Sequence, residues 1–196
     1  MEPTRRIKFK TNFLSKEIPD EKEIDELKYW CNQFHKNNLT SRFQGASLGN
    51  LSFRIEDGFV ITASVLEKKE NLDNGSFVRV INYDVYNNIF FVEGMLEPSS
   101  ESIMHFLIYN TRDDVNAIFH GHHDSIQKNS EKLKLPITKK EQPPGTIEFA
   151  NEVLDVLGDN NFVVIKNCGF VSLGNTMKEA GELAIKIYRK ALSLER

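Results

Sequence analysis

Apolar positions along this chain fall into blocks of two periods. Ile24, Leu27, Cys31 and Phe34 recur at helical spacing behind a first turn crowded with acids, which predicts an amphipathic helix. "NLSFRIEDGFVITAS" then reads as two β-rich runs around "EDG", a hairpin signal. "SFVRVINYDVYNNIFFVEG" repeats the pattern, with its turn at "NYD" or "YNN". A helix is expected from "PSSESIMHFLIYNTR" and a buried strand from "VNAIFHG". "TIEFANEVLDVLG" predicts another helix, entered through "QPPGT" and closed by Gly158. Strands are expected at "NFVVIKN" and "GFVSLG", on either side of Cys168, and "TMKEAGELAIKIYRKALSLE" reads as a long helix capped by Thr176. Helices at both ends and between strand groups predict an α/β fold whose sheet is covered on both faces. No repeat, low-complexity tract or linker interrupts the pattern, so residues 1–196 read as one domain.

Composition narrows the function classes. A chain of 196 residues, 40% hydrophobic, can bury a core without staples. A net charge of −3 gives no electrostatic footprint for nucleic acid or an anionic membrane, so neither is expected as a partner. The apolar runs are short and interrupted, and "MEPTRRIKFKTNF" is charged and lacks an apolar signal core. Cys31 and Cys168 lie far apart and make no disulfide framework. A cytoplasmic chain with reduced thiols is the expectation.

The chemistry concentrates in "AIFHGHHDS", where three of the chain's five histidines occupy four positions. Successive strand side chains point to opposite faces. Continuing the strand therefore puts His120 and His122 on one side, as a two-ligand metal clamp, and His123 on the other. The apolar run before them supplies a rigid support, and Asp124 is a candidate acceptor orienting one ring. The bland alternative is three ordinary polar residues where a strand meets a loop. So many of the chain's histidines at this spacing favour metal.

Five stretches in fixed order carry a wider likeness: "GASLGNLSFR" (45–54), "DGFVITAS" (57–64), "EPSSESIMHFLIYNTRDDVNAIFHGH" (97–122), "PPGTIEFANEVL" (143–154) and "FVVIKNCGFVSLGNTMKEAGELA" (162–184). With them the chain resembles the class II aldolase/adducin family, which includes sugar-phosphate aldolases, epimerases and dehydratases. The resemblance implies a three-layer α/β/α fold with a mostly antiparallel central sheet. It also implies a homo-oligomer, commonly a tetramer, with active sites between subunits. His120 and His122 match the family's zinc ligands. The third histidine of its "N-H-G" turn is replaced here by Cys168 in "KNCGF", and zinc accepts thiolate as it accepts imidazole. Glu101, in "PSSE", matches the family's general acid/base. Phosphate is implied to rest on Ser47, Gly49 and Asn50, on Ser64, and on Ser99 and Ser100.

Two departures stand out. Val65 occupies the place of a glycine, and valine disfavours positive φ, so either the turn differs or the phosphate grip is weaker. Lys68 and Lys69 follow closely and are candidates to compensate. The segment between His122 and Pro143 is shorter than in the aldolases and lacks their proton-donating tyrosine, leaving Tyr188, a neighbouring subunit or water as sources. The resulting expectation is a zinc-dependent lyase that cleaves a ketose phosphate, with a small-molecule sugar phosphate as its partner. An epimerase or dehydratase with the same metal site, and a non-catalytic assembly module like adducin's head domain, stay open beside it.

Overall fold

The structure, a computed structural model, describes residues 7–43 and 45–195, with the backbone alone at Arg42 and Phe43. The first six residues of the charged N-terminal stretch lie outside the described residues. The elements follow in the order β1 (Lys10–Ser15), α1 (Ile24–Lys36), β2 (Arg42–Phe43), β3 (Ala46–Ser47), β4 (Asn50–Ile55), β5 (Gly58–Thr62), β6 (Phe77–Asp84), β7 (Ile89–Glu93), α2 (Ser102–Thr111), β8 (Ala117–Gly121), α3 (Asp124–Asn129), α4 (Ile147–Leu157), β9 (Phe162–Ile165), β10 (Gly169–Gly174) and α5 (Met177–Ser193). Eight strands form one sheet in the order β1-β7-β6-β5-β4-β8-β10-β9. Every neighbouring pair is antiparallel except β1–β7.

Alternation along the central strands divides the core in two. Leu51, Phe53, Ala117, Phe119 and Phe170 pack on one face with Leu27, Trp30, Phe34, Ala180 and Ala184 from α1 and α5. Ile61, Val80, Ile118 and Val171 pack on the other with Ile103, Ile108, Phe149 and Val153 from α2 and α4. This is the three-layer α/β/α arrangement with a mostly antiparallel sheet. None of the described helices is long and apolar enough to cross a membrane.

The expected elements form where their periods placed them. The second hairpin turns at "YNN", where Asp84 accepts from the backbone N–H groups of Tyr86 and Asn87. Thr146 and Thr176 cap α4 and α5 by accepting from Phe149 and Glu179 backbone N–H groups. Four elements are additions: the edge strand β1, the two-residue strands β2 and β3, and the short helix α3.

Close packing of α5 on α1 rests on Gly181, where an added Cβ would fall 2.2 Å from Cε3 of Trp30. Gly181→Ala is expected to lower stability by about 1–3 kcal/mol in urea denaturation, because overpacking a rigid indole outweighs the gain of a better helix former. A raised denaturation midpoint would contradict this.

Candidate active site

β8 ends beside β4 and β10, and the register sets what meets there. Asn50 pairs with His120 across β4–β8, and Val171 pairs with His120 across β8–β10. His120 and His122 therefore project to the α2 side. His123 turns to the other face, against the ring of Tyr188 on α5 with centroids 4.6 Å apart. The parity read from the sequence is what the fold builds. His123 also caps α3, its Nδ1 accepting from the Ser125 backbone N–H.

Each clamp histidine is oriented by a backbone carbonyl. Nδ1 of His120 lies 2.8 Å from the Phe170 carbonyl oxygen, and Nδ1 of His122 lies 2.7 Å from that of Cys168. A carbonyl oxygen only accepts, so both rings carry hydrogen on Nδ1 and leave Nε2 as the atom for a metal. The orienting role expected of Asp124 thus falls to these carbonyls instead. Asp124 sits in the first turn of α3.

The β9–β10 turn brings Cys168 to the same point. One donor atom from each of His120, His122 and Cys168 lies within 4.8 Å of the others. His120 Nε2 is buried and makes no hydrogen bond of ordinary geometry; the Glu101 carboxylate oxygen Oε2 lies 3.4 Å away. Burial opposes a charge on His120. The Glu101 carboxylate and the Cys168 sulfur outweigh it and lift the imidazole pKa to about 10. Two nitrogen donors, one sulfur and an adjacent carboxylate therefore create a buried place that favours a cation. The donor set fits a divalent metal with nitrogen and sulfur affinity, such as zinc.

Gly169 makes this approach feasible, and the sequence reading passed over it. A Cβ there would lie 2.2 Å from the Gly121 carbonyl oxygen, 3.1 Å from His120 Cε1 and 3.2 Å from His122 Cγ. Gly49 does the same on the β4 side, at φ 78 and with its Cβ position 2.5 Å from the His120 carbonyl oxygen.

Glu101 stands immediately before α2 and is buried. Ser99 and Ser102 flank it, with the Ser102 hydroxyl donating to the Ser99 carbonyl. The three hydroxyl-bearing segments implied for phosphate converge. The Ser47 N–H donates to the Leu66 carbonyl, the Ser64 N–H donates to the Glu97 carbonyl, and Ala63 bridges Pro98. These bonds tie the segment at Ser47 to the 64–66 turn, and that turn to the residues just before Ser99. Val65 adopts φ 56 with its side chain 74% exposed. The turn thus keeps a left-handed residue despite losing glycine, at a strain of about 1–3 kcal/mol. Lys68 pairs with Glu70, and Lys69 is buried. Asn50 points away from solvent: its Nδ2 donates to Glu101 Oε2, and its Oδ1 lies 2.6 Å from His105 Nε2.

A cleft of about 410 Å³ opens on the ligand cluster, lined by Leu48, His122, His123, Gln127 and Cys168 among others. No tyrosine lines it among the described residues. Tyr188 is engaged by His123 on the opposite face.

Comparison with known proteins fits this geometry. Residues 25–191 match the sequence profile of the Class II Aldolase and Adducin N-terminal domain. The chain belongs to the class II aldolase/adducin family. A 5-deoxy-D-ribulose 1-phosphate aldolase of Bacillus thuringiensis serovar kurstaki is 27% identical over 171 residues, covering 79% of this chain and 77% of that protein. An L-fuculose phosphate aldolase of Methanococcus maripaludis is 32% identical over 98 residues, 43% of this chain and 53% of that protein. The match thus spans about half the length of the archaeal relative. A solved L-fuculose 1-phosphate aldolase shares the fold at TM-score 0.72 and 22% identity, covering 90% of this chain and 86% of that one.

The two cysteines of this family member differ sharply. Cys31 is fully buried on α1, and burial pushes its thiol up to about 12. Cys168 is half-buried in the cleft. One thiol is expected to react with a disulfide reagent in the native protein, with stoichiometric zinc blocking it and Cys168→Ser abolishing it. Reaction of both thiols at similar rates would contradict the assignment.

Proposed function

We propose that the protein is a zinc-dependent lyase that cleaves a ketose 1-phosphate to dihydroxyacetone phosphate and an aldehyde, or runs the reverse condensation. The observation that carries this is the convergence of His120, His122 and Cys168 beside the buried Glu101 carboxylate. The named relatives, which act on 5-deoxyribulose 1-phosphate and fuculose phosphate, support the substrate class.

His120, His122 and Cys168 would hold the metal, which supplies Lewis-acid polarisation of the substrate carbonyl when bound. Glu101 holds the mobile proton: it removes one from the carbon next to the carbonyl in condensation and returns it in cleavage. The Ser64, Ser99 and Ser100 hydroxyls and the Gly49 backbone are the groups offered to the phosphate. The Ser47 hydroxyl and the Ser47 and Ser64 N–H groups already donate to the Thr40, Leu66 and Glu97 carbonyls. Asn50 drops out of that set, since its backbone pairs with His120 and its side chain is turned to Glu101. The aldehyde oxygen takes its proton from water or from a neighbouring subunit of a homo-oligomer. The thiolate ligand suits a reducing compartment such as the cytoplasm.

The test is release of dihydroxyacetone phosphate from L-fuculose 1-phosphate and 5-deoxy-D-ribulose 1-phosphate, read by a coupled reductase. Release that chelation abolishes and zinc restores is expected. Epimerised or dehydrated product without cleavage would overturn the lyase reading.

A further inference from the structure

Two polar stripes face each other across the interior behind Glu101. On α2, Glu101, His105 and Tyr109 recur every fourth residue and share one face. On β4, Asn50, Ser52 and Arg54 alternate and share one face. Ser52 and His105 are 0% exposed, and Asn50, Tyr109 and Glu101 are at most 5%. So many polar groups in an apolar layer are tolerated only when each is hydrogen-bonded.

They are, and the bonds run one way. An ionised carboxylate only accepts, so Asn50 must turn its Nδ2 to Glu101, which leaves Oδ1 facing His105 Nε2. Oδ1 accepts as well, so the His105 hydrogen sits on Nε2 and Nδ1 carries the lone pair. Ser52 Oγ lies 2.7 Å from Nδ1 and 3.5 Å from the Ile118 carbonyl, so its single proton goes to the ring. The Ser52 oxygen then accepts from the Tyr109 hydroxyl at 2.8 Å. The Arg54 guanidinium anchors the far end, donating to the carbonyls of Tyr109, Val115 and Arg112 with its Cζ over the Tyr109 ring, 4.8 Å from the centroid. Reversing any link would point Asn50 Oδ1 at the Glu101 carboxylate.

We propose that His105 is a positioning residue for the proposed reaction: its Nε2–H locks the Asn50 amide in the one orientation that donates to Glu101, and so fixes that carboxylate beside the metal ligands. The histidine opposes its own protonation, since burial, with His120 nearby, holds its pKa down to about 3. The chain of donors therefore keeps its direction throughout the neutral range. A helical histidine among Ile103, Met104 and Ile108 would otherwise be a core filler. Its tautomer, opposite to that of His120 and His122, is the mark of this role.

The inference rests on the reading of Glu101 as acid/base, so one arm is independent of turnover. Histidine ¹⁵N spectra of the zinc-loaded protein should show His105 neutral with hydrogen on Nε2, while His120 and His122 carry theirs on Nδ1. Asn50→Leu should remove the Nε2–H preference of His105. Hydrogen on Nδ1 of His105 in the wild type would overturn the proposal. In turnover, His105→Leu should lower kcat about 10–100-fold with KM and zinc content within twofold of wild type. His105→Gln, whose amide N–H can reach Asn50, should recover most of the loss. A His105→Leu variant with wild-type kcat, or a His105→Gln variant as impaired as His105→Leu, would defeat it. A wild type that cleaves no ketose phosphate defeats the aldol reading alone, and the tautomer arm still decides the orientation of Asn50.

Discussion

Glu101→Gln is expected to lower turnover by about 10²–10⁴-fold while bound zinc stays at the wild-type level. The substitution keeps shape and an acceptor oxygen for the Asn50 Nδ2, so the buried network behind it remains satisfied. What disappears is the group able to exchange a proton with substrate carbon. Zinc retention matters because the carboxylate oxygen sits only 3.4 Å from His120 Nε2. A variant that loses activity and metal together would make Glu101 a ligand first. Activity within a few-fold of wild type would remove it from the chemistry.

Acid should destabilise the protein through His105. Its native pKa of about 3 lies below the ordinary 6.5, so between those values the unfolded chain binds a proton that the native state does not. Stability therefore rises with pH in this window, is fully present above about 6.5, and is lost as pH falls towards 3. The slope is about 1.4 kcal/mol per pH unit, and the whole window amounts to roughly 5 kcal/mol. His120, raised to about 10, is protonated in both states below 6.5 and drops out of the comparison. Urea denaturation of chelated protein between pH 4 and 6 should give a slope about 1.4 kcal/mol per unit steeper for wild type than for His105→Gln. Equal slopes would show that His105 titrates normally in the native state.

The helices and hairpins were legible because local period, cap and turn residues all agreed on them. "QPPGT" and Thr176 announced their helices, and "EDG" its turn. β1 was not legible: its side chains alternate between exposed and half-buried, and its partner Ile89–Glu93 lies far along the chain. Short α3 escaped because histidine is an uncommon cap and six residues show little period.

In the site, the parity of a strand was enough to separate His120 and His122 from His123. Cys168 has no local mark and was reached only through resemblance to the family. The ring acceptors are backbone carbonyls of Phe170 and Cys168, which a sequence does not display, so Asp124 looked the better partner. Gly169 was hidden for a related reason, since its role is the space beside another strand. Asn50 sat in a turn that reads as phosphate-binding, yet β4 geometry turns its amide inward to Glu101. His105 was visible as a letter, but its partners come from a strand more than 50 residues away.

The central claim is that His120, His122 and Cys168 together hold a divalent metal. Metal content of protein purified without chelators, wild type beside His122→Ala and Cys168→Ala, tests it most directly. One equivalent of zinc per chain, lost in both variants, is the expected result. A wild-type protein that holds no metal and takes up none from added zinc would contradict it.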